Sequence, residues 1–106
     1  MGNADPRVVR LFVELMESVY GYSRSKMRCY LHLRADQKEL AEVKYWCKVI
    51  GITPKHFCKT QYDKRTEGQA TWTEYHGVCT VYCYSAPLQK RVTLLQSYIF
   101  DKLLKR

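Results

Sequence analysis

The chain has 106 residues, which suits one domain over residues 1–106, and 46% of them are hydrophobic, enough for a core without disulfide staples. The formal net charge of +8 favours an acidic partner, a nucleic acid before an anionic membrane, although a domain can be basic without such a role. No apolar run approaches a membrane span, so no membrane partner is expected. Five cysteines without a disulfide-scaffold spacing, and no secretory signal, predict a reduced, cytoplasmic protein.

The first predicted element is a helix with Asp5 as its N-cap and Pro6 at its first position. Gly21 is expected to end this helix as a C-cap. Its apolar stripe repeats at helical spacing and comprises Val8, Leu11, Phe12, Leu15, Met16 and Val19.

The segment from Lys26 to Arg34 alternates strictly and predicts a strand. One face is apolar and comprises Met27, Cys29, Leu31 and Leu33. The other face is basic and aromatic and comprises Arg28, Tyr30, His32 and Arg34. A purely structural strand does not need a face that is both basic and aromatic, whereas a nucleic-acid-binding surface does.

A second helix is predicted from Gln37 to Ile50, capped by Asp36 at its start and by Gly51 at its end. Its apolar side carries Leu40, Val43, Cys47 and Ile50, with Trp46 beside them. Residues 55–62 predict another strand, with Lys59 and Gln61 on one face and Cys58 and Thr60 on the other. Phe57 falls with the polar set, which weakens that assignment of faces. Residues 63–74 form a polar loop.

Residues 77–85 predict the last strand, followed by a helix after Pro87. The inner face of the strand comprises Cys79, Val81 and Cys83, and the outer face comprises Val78, Thr80, Tyr82 and Tyr84. The helix repeats Leu88, Val92, Leu95, Ile99 and Leu103 at helical spacing. The predicted fold class is therefore α+β, in the order α-β-α-β-β-α. Its helices would form one layer on one face of a mainly antiparallel sheet, and the other face would be open to solvent.

The outward-facing side chains predict a nucleic-acid-binding surface. Its members are Arg28, Tyr30, His32, Arg34, Lys59, Gln61, Thr80, Tyr82 and Tyr84. Arginine and lysine neutralise phosphates or contact guanine, glutamine and threonine bond base edges, and tyrosine stacks on bases or packs on sugars. An ordinary solvated sheet face remains the alternative, because strand propensity and cross-strand pairing also favour tyrosine and threonine.

Metal binding and catalysis are the other two chemistries considered. His76, Cys79 and Cys83, with His56 and Cys58, supply zinc-binding atoms, but their spacing matches no zinc finger or ribbon, so buried inert thiols are preferred. No glycine-rich phosphate loop or serine elbow is present, and the acidic residues follow helix surfaces. We therefore expect no metal, no cofactor and no enzymatic activity.

Ordered motifs along the chain resemble a known family. They are Asn3–Phe12 (NADPRVVRLF), Tyr20-Gly21, Arg28–Leu33 (RCYLHL), Asp36-Gln37, Tyr45-Trp46, Gly51-Ile52, Phe57-x-Lys59 and Gly77–Val81 (GVCTV). From about residue 3 onward the chain resembles a LAGLIDADG-type homing-endonuclease-like domain, and more closely the non-catalytic branch related to the sporulation regulator WhiA. The resemblance implies a saddle-shaped sheet that binds DNA.

The chain departs from the family at its start, because the signature helix with its acidic metal ligand would precede Asn3. The resemblance therefore implies a domain that binds DNA without cutting it, with an open sheet edge that pairs in a homodimer or with a separate fragment. We expect a non-enzymatic nucleic-acid-binding domain, for duplex DNA rather than RNA and with a regulatory role. The alternatives are a protein-interaction or dimerisation module, and a degenerate homing-endonuclease fragment active only within a larger assembly.

Overall fold

The structure, a computed structural model, describes residues 1–83 and 89–103, with side chains for all of these except 89–94. Within these ranges the chain forms three helices and a four-stranded sheet, which confirms the predicted α+β class. The elements in chain order are β1 (Gly2–Asn3), α1 (Pro6–Ser18), β2 (Arg28–Arg34), α2 (Glu39–Ile50), β3 (Gln61–Asp63), β4 (Val78–Tyr82) and α3 (Gln89–Leu103).

The sheet has the strand order β1-β4-β2-β3. Strand β4 is antiparallel to both β1 and β2, whereas β2 and β3 run parallel. The expectation of a mainly antiparallel sheet therefore holds for two of the three pairings. Strand β1 was not predicted, since two residues carry no alternation. It forms because the backbone at Met1 exchanges hydrogen bonds with Val81, at N···O distances of 2.7 and 2.9 Å.

The helices pack on one face of the sheet, and the core lies between the two layers. Strand β2 contributes Cys29, Leu31 and Leu33, and β4 contributes Cys79 and Val81, all buried. The helices contribute Val8, Val9, Phe12, Val13, Met16, Val43, Trp46, Ile50, Leu95 and Ile99. The alternation that predicted the inner faces of β2 and β4 is thus confirmed, because each apolar side chain there meets the helix layer.

Helix α1 begins as predicted. Asp5 is its N-cap, the carboxylate accepts a hydrogen bond from Arg7 N at 2.9 Å, and Pro6 occupies the first position. The helix ends at Ser18, with Val19 rather than Gly21 as its C-cap. Gly21 adopts a φ of +65° one turn later, where Tyr22 N donates to Met16 O at 3.0 Å. Val19 was expected in the apolar stripe but is exposed, because it lies past the last helical turn.

The predicted start of α2 was wrong. The N-cap is Lys38 and not Asp36, since the Asp36 carboxylate instead accepts hydrogen bonds from the backbone N and the Oγ1 of Thr71. Leu40 was expected on the apolar side and is 80% exposed, while Trp46 is buried. Gly51 ends the helix with a φ of +80°, as predicted.

The predicted strand over residues 55–62 is only partly formed. A 3₁₀ turn occupies Pro54–His56, and regular pairing with β2 begins at Gln61. Phe57 bridges to Cys29, whereas Gln61 pairs with His32. His32 therefore lies three positions after Cys29 on β2, but Gln61 lies four positions after Phe57 on the other segment. The extra residue turns Phe57 toward the core and Gln61 toward the open side, which explains why simple alternation misplaced Phe57.

Strand β4 is shorter than predicted, and its inner and outer faces are as expected at residues 78–82. Tyr84, Ser85, Pro87 and Leu88, and the side chain of Val92, lie outside the described part of the chain. In α3, Leu95 and Ile99 are buried and Leu103 packs against the core. Within the described part of the chain, no helix is long and apolar enough to cross a bilayer.

Candidate nucleic-acid interface

The side of the sheet away from the helices carries the polar and aromatic side chains. We call this surface the open sheet face; its described members are Arg28, Tyr30, His32 and Arg34 of β2, Gln61 of β3, and Val78, Thr80 and Tyr82 of β4. The strand register places them in cross-strand pairs: Arg28 with Tyr82, Tyr30 with Thr80, and His32 with both Val78 and Gln61. Seven of the nine predicted site residues are therefore brought together.

The other two predicted residues are not part of that set. Tyr84 lies outside the described residues. Lys59 is exposed but lies before the start of β3, and it lines a groove beside α2 with Leu40, Pro54 and Phe57.

Two tyrosines form the centre of the open sheet face. The rings of Tyr30 and Tyr82 meet edge to face, with centroids 5.0 Å apart and planes at 89°. Tyr82 is 46% exposed, and Tyr30 is half-buried beside it. Edge-to-face packing fixes the orientation of both rings, so they present a firm aromatic surface to a partner.

The end of the open sheet face at Arg28 is basic. Arg28 is exposed, and its guanidinium donates to Met27 O at 3.0 Å. Together with Ser25, Lys55 and His56 it lines a cleft with a volume of about 330 Å³. His56 Nε2 lies 3.2 Å from Ser25 O, which positions the ring at the cleft wall. Such a cluster of donors can bind an anion such as a phosphate.

The opposite end is organised around Arg34. Its Nε donates to Thr71 Oγ1 at 2.9 Å, one terminal nitrogen donates to Gln69 Oε1 at 3.1 Å, and its guanidinium lies 5.3 Å from the ring centroid of Trp72. The nearby Asp36 carboxylate has a pKa below its ordinary value, because Thr71 donates two hydrogen bonds to it. Arg34 thus connects the sheet to the loop at residues 69–72.

A second cleft, with a volume of about 460 Å³, opens beside Arg34. Its polar walls include His32, Arg34, Gln61, Tyr62, Arg65 and Tyr75. His32 Nε2 donates to Gln61 Oε1 at 2.7 Å across the strands. Asp63 pairs with Arg65 at 3.0 Å, and the hydrogen bond from this arginine lowers the pKa of the Asp63 carboxyl. The cleft therefore combines cationic, amide and aromatic groups within one concave site.

The charged side chains of the two layers differ in their partners. On the helix side, Arg7 pairs with Asp5, Arg10 with Glu14 and Arg24 with Glu17. Among the ion pairs that the described residues form, none involves Arg28 or Arg34. Among the described residues, no carboxylate lies within ion-pair distance of either arginine, although Asp36 and Asp63 act on Arg34 from further away.

Sequence reasoning missed several residues of this surface. Trp72 and Arg65 were assigned to a polar loop, Tyr75 was assigned to no element, and Lys55 and His56 were assigned to a strand. A tryptophan within an otherwise polar loop was a signal that could have been used, because binding residues are found disproportionately on loops. The cleft at Lys55 could not be anticipated, because it requires the 3₁₀ turn beside Arg28.

Of the cysteines that were weighed as metal ligands, Cys79 and Cys83 lie in the core, whereas Cys58 is half-buried. Cys29, Cys79 and Cys83 are buried, and a hydrogen bond with Cys29 together with burial raises the pKa of Cys79. Burial raises the pKa of Cys83 to about 11. His76 points elsewhere, with Nδ1 2.7 Å from Glu42 Oε1. Over the residues that the structure describes, no three histidine, cysteine or acidic side chains are grouped to hold a metal ion.

Comparison of the chain with protein-family models, with curated proteins and with solved structures finds no significant match. The LAGLIDADG-like resemblance therefore stays a prediction.

Proposed function

We propose that this chain is a non-enzymatic nucleic-acid-binding domain that binds duplex DNA on the open sheet face. The observation that supports the proposal is the sidedness of the sheet. Hydrocarbon side chains of β2 and β4 contact the helices, whereas cations, phenols and amides lie on the opposite side with exposed Arg28, His32 and Tyr82. The LAGLIDADG-like resemblance implies a regulatory role for such a DNA-binding domain.

The proposed contacts follow from the chemistry of each region. Arg28 and Lys55, at the first cleft, would neutralise phosphates, because their ammonium and guanidinium groups face solvent. Gln61 and Thr80 would bond base edges or sugars, since an amide and a hydroxyl both donate and accept. Tyr30 and Tyr82 would pack against the sugar-phosphate backbone.

Arg28→Ala tests this proposal more cleanly than a change at Arg34. Arg34 holds the loop at residues 69–72, so its removal would disturb the surface as well as the charge. Arg10→Ala on the helix side is the matched control, because it removes the same charge at an exposed site. We expect Arg28→Ala to weaken duplex binding by about 1–3 kcal/mol and Arg10→Ala to leave it nearly unchanged, as measured by fluorescence anisotropy. Equal effects of the two variants would contradict the proposal.

A protein interface is the second candidate for the same surface. Tyrosine and arginine dominate binding energy at protein interfaces, and the Tyr30–Tyr82 pair beside Arg28 has that composition. Under this alternative, Arg28→Ala would leave DNA affinity unchanged and would instead weaken a complex with a protein partner or a second copy.

The proposal includes no catalytic step. Asp36 is hydrogen-bonded to Thr71, Asp63 is paired with Arg65, and Glu42 is hydrogen-bonded to His76, so these carboxylates do not converge on one point. Incubation of duplex DNA with the protein and magnesium is expected to leave the DNA intact. Magnesium-dependent cleavage would favour a degenerate homing-endonuclease fragment.

We also propose that the sheet continues into a second copy or a separate fragment. The outer strands of the described sheet, β1 and β3, have two and three residues, and each leaves backbone groups on its outer side for a further strand. Light scattering coupled to size exclusion should give a mass that rises toward the dimer with concentration. A monomer mass at every concentration would contradict homodimerisation.

A further inference from the structure

Trp72 is the largest aromatic side chain on the surface near the open sheet face. It is 56% exposed, although a tryptophan is favourable to bury. The chain has two tryptophans, and the other, Trp46, is fully buried with Nε1 donating to His76 O at 2.8 Å. The core can therefore bury a tryptophan, and the fold nevertheless holds Trp72 at the surface.

The loop that carries Trp72 is held firmly at both ends. Before it, Thr71 is hydrogen-bonded to Asp36 and to Arg34. After it, Gln37 Nε2 donates to Tyr75 O at 2.9 Å, and His76 is fixed by Glu42. Holding an exposed aromatic ring in one place reduces the entropy lost when a flat ligand stacks on it.

The neighbours of Trp72 favour a planar ligand that carries polar groups at its edge. The Arg34 guanidinium lies 5.3 Å from the ring centroid, and the Tyr75 ring lies 4.8 Å away at 41°. Both residues also line the 460 Å³ cleft, where His32, Gln61 and Arg65 offer hydrogen bonds and positive charge. A planar group on the indole would therefore have polar donors beside it.

We infer that Trp72 stacks on an unpaired base of the bound nucleic acid, with Arg34 and the cleft taking the adjoining phosphate or base edge. This inference rests on the proposed function and adds to it the kind of nucleic acid preferred. A base inside a duplex has both faces covered by its neighbours, so only a base displaced from the stack can use the indole. The preferred ligand is then a duplex with an unpaired nucleotide.

The test compares three DNA probes of the same sequence: a fully paired duplex, a duplex with one bulged nucleotide, and that duplex with an abasic residue at the bulge. The abasic probe keeps the bend and the phosphates and lacks only the base. We expect the bulged probe to bind at least about fivefold more tightly than the abasic probe. It should also quench tryptophan emission, which the abasic probe should do much less.

Two variants locate the effect. Trp72→Phe should remove the quenching, since the remaining Trp46 is buried. Trp72→Ala should abolish the preference for the bulged over the abasic probe, so that the variant binds these two probes with equal affinity. Tyr98→Ala, an exposed aromatic change on α3, should alter neither. The emission of Trp46 reports in each case that the core is folded.

The outcomes separate this inference from the proposed function. Equal affinity for the bulged and abasic probes, with salt-dependent binding of the duplex, would overturn the role of Trp72 and leave the proposed function standing. A preference for the bulge that survives Trp72→Ala would overturn it as well. Binding of none of the three probes would overturn both.

Discussion

Arg28 and Arg34 have the same side chain on the same face of one strand, yet their surroundings differ. The guanidinium of Arg28 donates to the adjacent carbonyl of Met27, whereas that of Arg34 donates to Thr71 and Gln69 and covers Trp72. The sequence pattern assigns them equal roles. Their contacts leave Arg28 open to an incoming phosphate, whereas Arg34 also holds the loop at residues 69–72. An alanine at Arg34 would therefore disturb that loop as well as remove a charge.

A glycine just before β4 gives a prediction at the scale of one residue. Gly77 has a φ of +84°, and an added Cβ would lie 2.7 Å from His32 O and even closer to the Leu33 side chain. Gly68 has a φ of +79° with open space around it. We expect Gly68→Ala to lower the free energy of unfolding by about 1–2 kcal/mol through backbone strain alone, and Gly77→Ala to lower it further.

Urea denaturation of both variants measures the difference. Because the two glycines share nearly the same φ, the additional loss at Gly77 isolates its close approach to β2. Equal losses for the two variants would mean that β2 and β4 accommodate a methyl group there.

Arg24 connects two helices at the scale of elements. It follows α1 and donates to the Glu17 carboxylate through its backbone N at 3.1 Å and its Nε at 3.0 Å. Its NH1 donates to Ile50 O, the last residue of α2, at 2.6 Å. One side chain thus satisfies a helix-end carbonyl and fixes α1 relative to α2.

This connection predicts a dependence of stability on pH. The hydrogen bonds from Arg24 lower the pKa of Glu17 in the folded protein below its ordinary value of 4.5. A carboxyl with a lowered folded pKa contributes stability above the unfolded pKa and loses it as pH falls through the folded pKa. Glu17→Gln should therefore lower Tm slightly at pH 7, and the difference from the unmodified protein should shrink below pH 4.5.

Thermal unfolding followed by circular dichroism across pH measures this difference. Glu14→Gln is the control, because its ion pair with Arg10 stays within α1. A Glu17→Gln deficit that is the same at acid and neutral pH would show that the charge of Glu17 contributes nothing.

At the scale of the whole molecule, the distribution of charge matters more than the total. The chain carries a net charge of +8, and several arginines of the helix layer are paired with carboxylates. Arg28, Lys55 and Arg34 lie in no ion pair among the described side chains. Arg28 and Lys55 therefore offer positive charge to a partner beside the open sheet face.

Binding to duplex DNA should fall steeply with salt. If three or more phosphates are neutralised, a plot of log K against log salt should have a slope of about −3 or steeper. Titrations at several potassium chloride concentrations measure the slope, and Arg28→Ala should reduce its magnitude by about 1. Affinity that hardly changes with salt would contradict an electrostatic contact between this face and DNA.

Features that depend on residues close together in the chain could be predicted from the sequence alone. Strict alternation over residues 26–34 and 77–83 assigned the inner and outer faces of β2 and β4 at every position that the structure describes, because successive side chains of a strand must point to opposite sides. Asp5 with Pro6, and Gly51, marked helix ends because their local conformations suit those positions.

Features that join distant parts of the chain depended on how the elements pack together. Asp36 does not cap α2, because its carboxylate accepts two hydrogen bonds from Thr71, 35 residues away. The extra residue before Gln61, and the pairing of Gly2–Asn3 with β4, follow from register between segments and not from local pattern. Trp72 and Arg34 meet for the same reason. Contacts between remote residues depend on how the elements pack, and local periodicity carries no information about that packing.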